Sequence, residues 1–223
     1  VSGTHYGSGG SKVLVIVNSQ NTVDYSDYDI YIRPYLDWFG LPYDTCNISS
    51  MNLPNLNDYS LIIFGHRNVY ESGYPIYDLE TAIYNGVGLY SFDPHLFDFP
   101  SAFNTLGTAH SAVTSSQINI LTDHYITNLH NVDTFHPSNN LITLNEYGEV
   151  QQTITIGQTN YTLGGTNPSV LATVSNGVST EPVLQITTFG SGRILKWGAY
   201  DWMYDYKLGP VWGMDDLIWR GIV

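Results

Sequence analysis

Positive charge is scarce in this chain. Lys and Arg number 7 against 20 Asp and Glu, a formal net charge of -13. Duplex nucleic acid needs clustered cations to displace its counterions, so it is excluded as a partner. An anionic membrane surface is excluded for the same reason. There is one cysteine, Cys46, so no internal disulfide forms. Within YDTCNIS it reads as a small buried hydrophobe. No apolar run approaches the ~18 residues of a membrane helix.

What is present is apolar and neutral-polar. Hydrophobic residues make up 43% of the 223, enough for a sizeable core, while charged residues reach only 12%, about half the ordinary share. Polarity comes instead from Tyr, Asn, Ser, Thr and Gly, with 18 Tyr and 5 Trp. Neutral hydroxyls and many aromatics suit a secreted protein beside polymers such as polysaccharides. A composition bias of the lineage gives the same profile. VSGTHYGSGGS (1–11) reads as a flexible lead, of the kind left at a cleavage site or domain junction. Asn47-Ile-Ser and Asn160-Tyr-Thr fit the glycosylation sequon. DDLIWRGIV stops within an apolar helical pattern, which suggests further domains of the same polypeptide beyond residue 223.

KVLVIVNS (12–19) is a continuous β-branched run, as in a strand buried on both faces. DYDIYIRPYLDWF (27–39) has helical spacing and ends at Gly40, with Pro34 as a candidate start of its main part. YDTCNIS (43–49), SLIIFGH (60–66) and GVGLYSF (86–92) read as strands, and YPIYDLETAIYNG (74–86) as a helix. This alternation means βαβ units and a mainly parallel sheet with right-handed crossovers. The second half differs. QINIL (117–121) reads as a strand, and residues 141–165 as a Thr-rich β insertion. SVLATVSNG (169–177) reads as a strand. PVLQITTFGSGRILKWGAY (182–200) reads as two strands joined by a tight turn at Gly190-Ser191-Gly192. Residues 214–223 read as a closing helix that packs Leu217, Ile218, Trp219 and Ile222 on the sheet. Residues 12–223 thus form one α/β domain.

In an open parallel sheet, ligands bind beyond the carboxyl ends of the strands. Those ends carry Asn18; His66, Arg67 and Asn68; Ser91, Asp93 and His95; and Tyr200, Asp201 and Trp202. Asp93 and Asp201 are candidates for carboxylate acid/base work on a glycosidic bond, and His66 for a base or proton shuttle. Asn18, Arg67, Asn68, His95, Tyr200 and Trp202 are the candidate ligand-binding residues, with Tyr90 and Trp202 as stacking platforms. The alternative is that polar residues simply begin where strands end. His124, His130 and His136 are spaced six apart and lack the i, i+4 geometry of a zinc helix. His66, Asp93 and His95 are a second combination weighed for a metal. No metal and no cofactor is expected.

The order KVLVIVNS, DYSLIIFGH, helix, YNGVGLYSFD resembles class I glutamine amidotransferase-like domains, including their ThuA-like branch. INILTDHYITNL is similar to a family strand followed by a His-Pro-Ile-Thr-like stretch, with Tyr125 in place of the proline. TTFGSGRILKWGAYDW resembles the late Gly-x-Gly-Arg hairpin, and DDLIWRGIV the terminal helix. The resemblance implies a three-layer flavodoxin-like, amidotransferase-like fold from Lys12 onward. It also implies a nucleophilic cysteine at the turn after the fourth strand. That place holds Phe92 or Asp93, and Cys46 is far away in sequence, so glutamine hydrolysis by the family mechanism is excluded. LGPVWGMDDLIWRGIV additionally resembles a segment of modular extracellular polysaccharide-processing proteins, ahead of a deacetylase-like domain.

The resulting expectation is an extracellular or cell-surface, carbohydrate-associated domain, accessory or glycan-binding, whose partner is a polysaccharide or oligosaccharide. Two alternatives stand beside it: a glycoside hydrolase or carbohydrate esterase using the strand-tip Asp and His residues, and a structural subunit of a surface assembly.

Overall fold

The computed structural model describes residues 12–69, 76–94, 96, 112–122, 124–127, 141–143, 154–156, 163–200, 204–205, 209–210 and 214–223. The lead at 1–11, the sequon at Asn160 and His95, His130, His136, Asp201 and Trp202 lie outside the described residues.

β1 (Val13–Val17) is buried along its whole length. Its side chains alternate between two cores, as strand geometry requires. Val13, Val15 and Val17 join one cluster, and Leu14 and Ile16 join the other. A helical segment follows in three parts: α1 (Thr22–Asp27), a π-turn (Tyr28–Ile32) and α2 (Arg33–Trp38). Pro34 explains the break. It has no N–H to donate back along the helix, and the wider π-turn accommodates it, with Arg33 N–H reaching back to Tyr28 O. The helix therefore starts earlier than its hydrophobic pattern suggests, and Pro34 lies in the first turn of α2.

β2 (Tyr43–Asn47), β3 (Leu61–Phe64), α3 (Ile76–Tyr84) and β4 (Gly88–Ser91) complete two crossover units. β5 (Val113–Ser115) pairs with β8 (Ile154–Ile156) apart from the main sheet. β6 (Gln117–Ile120), β7 (Leu141–Thr143), β9 (Thr166–Ser175), β10 (Thr180–Phe189) and β11 (Gly192–Trp197) extend the main sheet. A short pair, β12 (Tyr204–Asp205) and β13 (Gly209–Pro210), precedes α4 (Met214–Ile222).

The sheet order is β2-β1-β3-β4-β11-β10-β9-β6-β7. Strands β2 through β11 in that order pair in parallel. From β11 through β10, β9, β6 and β7 every pairing is antiparallel. The expectation of a mainly parallel sheet is thus corrected to a mixed one. The reason is local: a turn as tight as Gly190-Ser191 can only return the chain antiparallel, and Gly190 supplies the positive φ of +60° that it needs. The long β9–β10 pair then sets the direction for the strands added outside it. Of the β-rich 141–165 segment, β7 borders the main sheet and β8 pairs with β5.

The layers are helix, sheet, helix. α1, the π-turn, α2 and α4 cover one face, through Tyr28, Ile32, Tyr35, Leu36, Leu217 and Ile218. α3 covers the other through Leu79, Ala82 and Ile83, together with Cys46. Burial raises the Cys46 thiol pKa and keeps it protonated. The architecture leaves the carboxyl ends of β1, β3, β4 and β11 at one end of the parallel half. The chain order reverses between β1 and β3, the point where such sheets open a crevice.

Candidate functional site

The strand-tip residues are brought together, and they are bonded mainly to one another. Asn18, His66 and Ser91 are fully buried, and Asp93 is nearly so. Asn18 N–H donates to His66 Nε2 at 2.9 Å. That bond needs a lone pair on Nε2, so the proton sits on Nδ1, which donates to Arg67 O at 2.7 Å. Both ring nitrogens are therefore committed, and His66 has no open lone pair for general-base work. Desolvation lowers its pKa and favours this neutral form, against weaker opposing effects of the Arg67 carbonyl, Asp93 and Asp24.

Asn18 uses its side-chain nitrogen on Val69 O at 3.2 Å and its oxygen on Gln20 N–H at 3.1 Å. Val69 N–H donates to the Asp93 carboxylate at 3.3 Å. Ser91 Oγ accepts from Asp93 N–H and donates to Asp93 O, closing the turn after β4. Arg67 N–H donates to Tyr200 Oη, which donates to Asp27. The Arg67 guanidinium lies 5.6 Å over the Tyr200 ring. Asn68, at a positive φ of 54°, donates its amide to Asp24 at 2.9 Å. Of the expected ligand-binding residues, Asn18 and Tyr200 are thus buried in the network, while Arg67 and Asn68 are half-buried at its border.

At the place where the resemblance implies a nucleophilic cysteine, the turn after β4 holds Phe92. Phe92 is fully buried, edge-on to Tyr90 at 4.9 Å and to Tyr200 at 6.4 Å. Tyr90, expected as a sugar platform, is core: it is fully buried and accepts from Trp197 Nε1 at 2.8 Å.

Lys196 was not legible as a site residue. It sits beside Ser91 in the β11–β4 register and is fully buried. Burial pulls its amine down to about 7, with the Asp93 carboxylate opposing the fall. The only sequence signal was a lone lysine inside the apolar run RILKW. An amine and a carboxylate are therefore held under the strand tips.

A second group of residues has the opposite character. Trp38 is 63% exposed and Trp219 is 39% exposed. Phe39 lies between them, 5.4 Å from Trp38 and 5.2 Å from Trp219, ring centre to ring centre. The expectation that Trp219 packs inward is corrected. On α4 the inward face goes to Leu217 and Ile218, both fully buried, and the next position is rotated about 100° away. Trp219 therefore meets the end of α2 at the surface. Asn47, in the first sequon, donates its side-chain nitrogen to Ser19 Oγ at 2.7 Å.

No protein-family model matches the chain, and no curated protein matches it. Solved structures do. A protein described as ThuA-like from Parabacteroides merdae superposes with a TM-score of 0.59 at 13% identity, over 96% of this chain and 88% of that one. A second, from Bacteroides uniformis, gives 0.57 at 12% identity, over 100% of this chain and 93% of that one. The carbohydrate deacetylase Agd3 gives 0.51 at 14% identity, where the match covers 93% of this chain but 32% of the deacetylase. At these identities the likeness concerns the fold, and the fold of this chain is ThuA-like.

Proposed function

We propose that this domain binds polysaccharide outside the cell and serves as a non-hydrolytic accessory to a catalytic domain of the same polypeptide. The observation that carries the reading is the aromatic row at the junction of α2 and α4, in which the exposed Trp38 and Trp219 flank the partly buried Phe39. Exposed indoles present flat apolar faces with a polar N–H, the chemistry that sugar faces stack upon. A chain with only 12% charged residues and 18 Tyr suits a neutral polymer. The occurrence of this fold within a protein described as a carbohydrate deacetylase, as about a third of its length, supports the accessory role. The closed strand-tip network weighs against hydrolysis by His66 and Asp93, since His66 has both nitrogens bonded and Asp93 is 4% exposed.

Affinity electrophoresis and titration calorimetry against a polysaccharide panel test the reading. Trp38→Ala with Trp219→Ala is expected to weaken binding about tenfold, the scale set by about 0.5–1.5 kcal/mol for each lost stacking platform. Unchanged affinity in a folded double variant overturns it. Release of oligosaccharide or acetate by the wild type and its loss in Asp93→Asn would establish the hydrolase instead.

A further inference from the structure

The pair Asn-Gly occurs twice, each time followed by valine: Asn85-Gly86-Val87 after α3, and Asn176-Gly177-Val178 between β9 and β10. At such a pair the backbone nitrogen of glycine can attack the asparagine side chain, because glycine puts no side chain beside that nitrogen. The two local sequences are identical, so only their surroundings can separate them. At Asn85 the surroundings oppose the reaction. The N–H groups of Asn85, Gly86 and Val87 donate to Thr81 O, Ile83 O and Ala82 O at 3.0, 2.9 and 3.1 Å. Ser191 N–H donates to Tyr84 O at 2.8 Å, so the β10–β11 turn clamps the same helix end. Gly86 is half-buried. Its nitrogen is free to attack only if the end of α3 unwinds.

Asn176 is held differently. Ser175, Asn176, Gly177 and Val178 are exposed to solvent. The Val178 and Ser179 N–H groups both donate to Asn176 Oδ1 at 2.9 Å. They draw electron density away from Cγ and face the oxygen on which negative charge develops during attack, as in an oxyanion hole. The Gly177 N–H is held only by a side-chain hydroxyl, Ser175 Oγ, at 3.2 Å. The space around Gly177 is open, since an added Cβ would meet no atom within 4 Å.

We propose that Asn176 is a site of spontaneous covalent modification, where the β9–β10 turn converts to aspartate and isoaspartate through a cyclic imide. A water or buffer base takes the Gly177 amide proton. The nitrogen forms a bond to Asn176 Cγ, and the carbonyl electron pair moves onto Oδ1, between its two donors. That pair returns as the Cγ–Nδ2 bond breaks, and Nδ2 takes up a proton and leaves as ammonia. Water then opens the imide, so the net change consumes one water and releases one ammonia, with no oxidant or reductant. Opening at Cγ gives aspartate. Opening at the main-chain carbonyl gives isoaspartate and routes the backbone through the former side chain, one carbon longer. Either product adds a carboxylate at the tip of the longest strand pair, and isoaspartate also lengthens the turn that Asn176 N–H closes on Ser179 O at 3.3 Å.

The test is incubation of the whole chain in warm, mildly alkaline buffer, once folded and once in urea, with digestion at intervals. Mass spectrometry follows the two Asn-Gly peptides, and chromatography separates isoaspartate from aspartate. In the folded chain, conversion at Asn176 is expected to exceed that at Asn85 about tenfold, the factor carried by one net hydrogen bond. In urea the two sites are expected to convert at similar rates, because their local sequences are the same. Isoaspartate among the products marks the imide route. Gly177→Ala, whose added Cβ crowds the attacking nitrogen, is expected to slow conversion at Asn176 and leave Asn85 unaltered. Equal rates in the folded chain, faster conversion at Asn85, a lead of Asn176 that persists in urea, or aspartate as the sole product overturns the proposal.

Discussion

Replacing Lys196 with methionine should change how stability depends on pH, with a sign fixed by its burial. The amine titrates at about 7 in the folded chain instead of near 10.5. Below about pH 7 it is charged in both states, and the folded state bears the full penalty, of order 5 kcal/mol at ~1.4 kcal/mol per unit. Above the folded value the native amine gives up its proton while the unfolded one keeps it, so stability rises with pH up to the unfolded value. The raised pKa values of Tyr28, Tyr90 and Tyr200 act oppositely near pH 10 and beyond, so the useful window lies below that. Over about pH 7 to 9, the wild type should gain roughly 2 kcal/mol relative to Lys196→Met. Urea unfolding followed by tryptophan fluorescence measures the difference. Running the pair again in an Asp93→Asn background removes the carboxylate that the methionine would leave without its neighbouring cation. Parallel stability curves across the window would refute the reasoning, because Lys196 would then stay protonated in the folded state, held by its partners against burial.

Two further outcomes follow from the same packing. His66→Ala leaves the buried Asn18 N–H and the part-buried Arg67 O without their partner, so the urea midpoint should fall by the equivalent of roughly 2 kcal/mol. The neutral native His66 also makes the wild type lose stability as pH falls through the unfolded value of about 6.5, because the unfolded ring takes a proton that the folded one resists; stability unaffected from pH 7 to 5 in a wild-type against His66→Asn comparison would contradict this. At Gly192 an added Cβ would lie 2.1 Å from Ile83 O and 2.8 Å from Val87 O, both backbone. Gly192→Ala should therefore cost roughly 3 kcal/mol or more, read as a drop in Tm, whereas Gly177→Ala meets no atom within 4 Å and is limited to strain from its φ of +84°.

The βαβ half of the molecule was legible in the chain alone. Continuous β-branched runs such as KVLVIV are buried on both faces, and helical spacing between them leaves few ways to connect them. The chain alone also placed Asn18, His66, Arg67, Asn68, Asp93 and Tyr200 at strand ends. The lack of a cysteine there excluded thiol chemistry, and the structure shows Phe92 packed into the turn. Other features were decided by neighbours distant in the chain. The mixed sheet depends on which strand β11 joins, and an apolar run looks alike in parallel and antiparallel pairing. Whether His66 is a base or a bonded strut depends on Asn18, 48 positions away. Lys196 is buried because β4 and β10 flank its strand. Trp38 and Trp219 form one surface row because α2 and α4 cover the same face, an adjacency that no local pattern encodes.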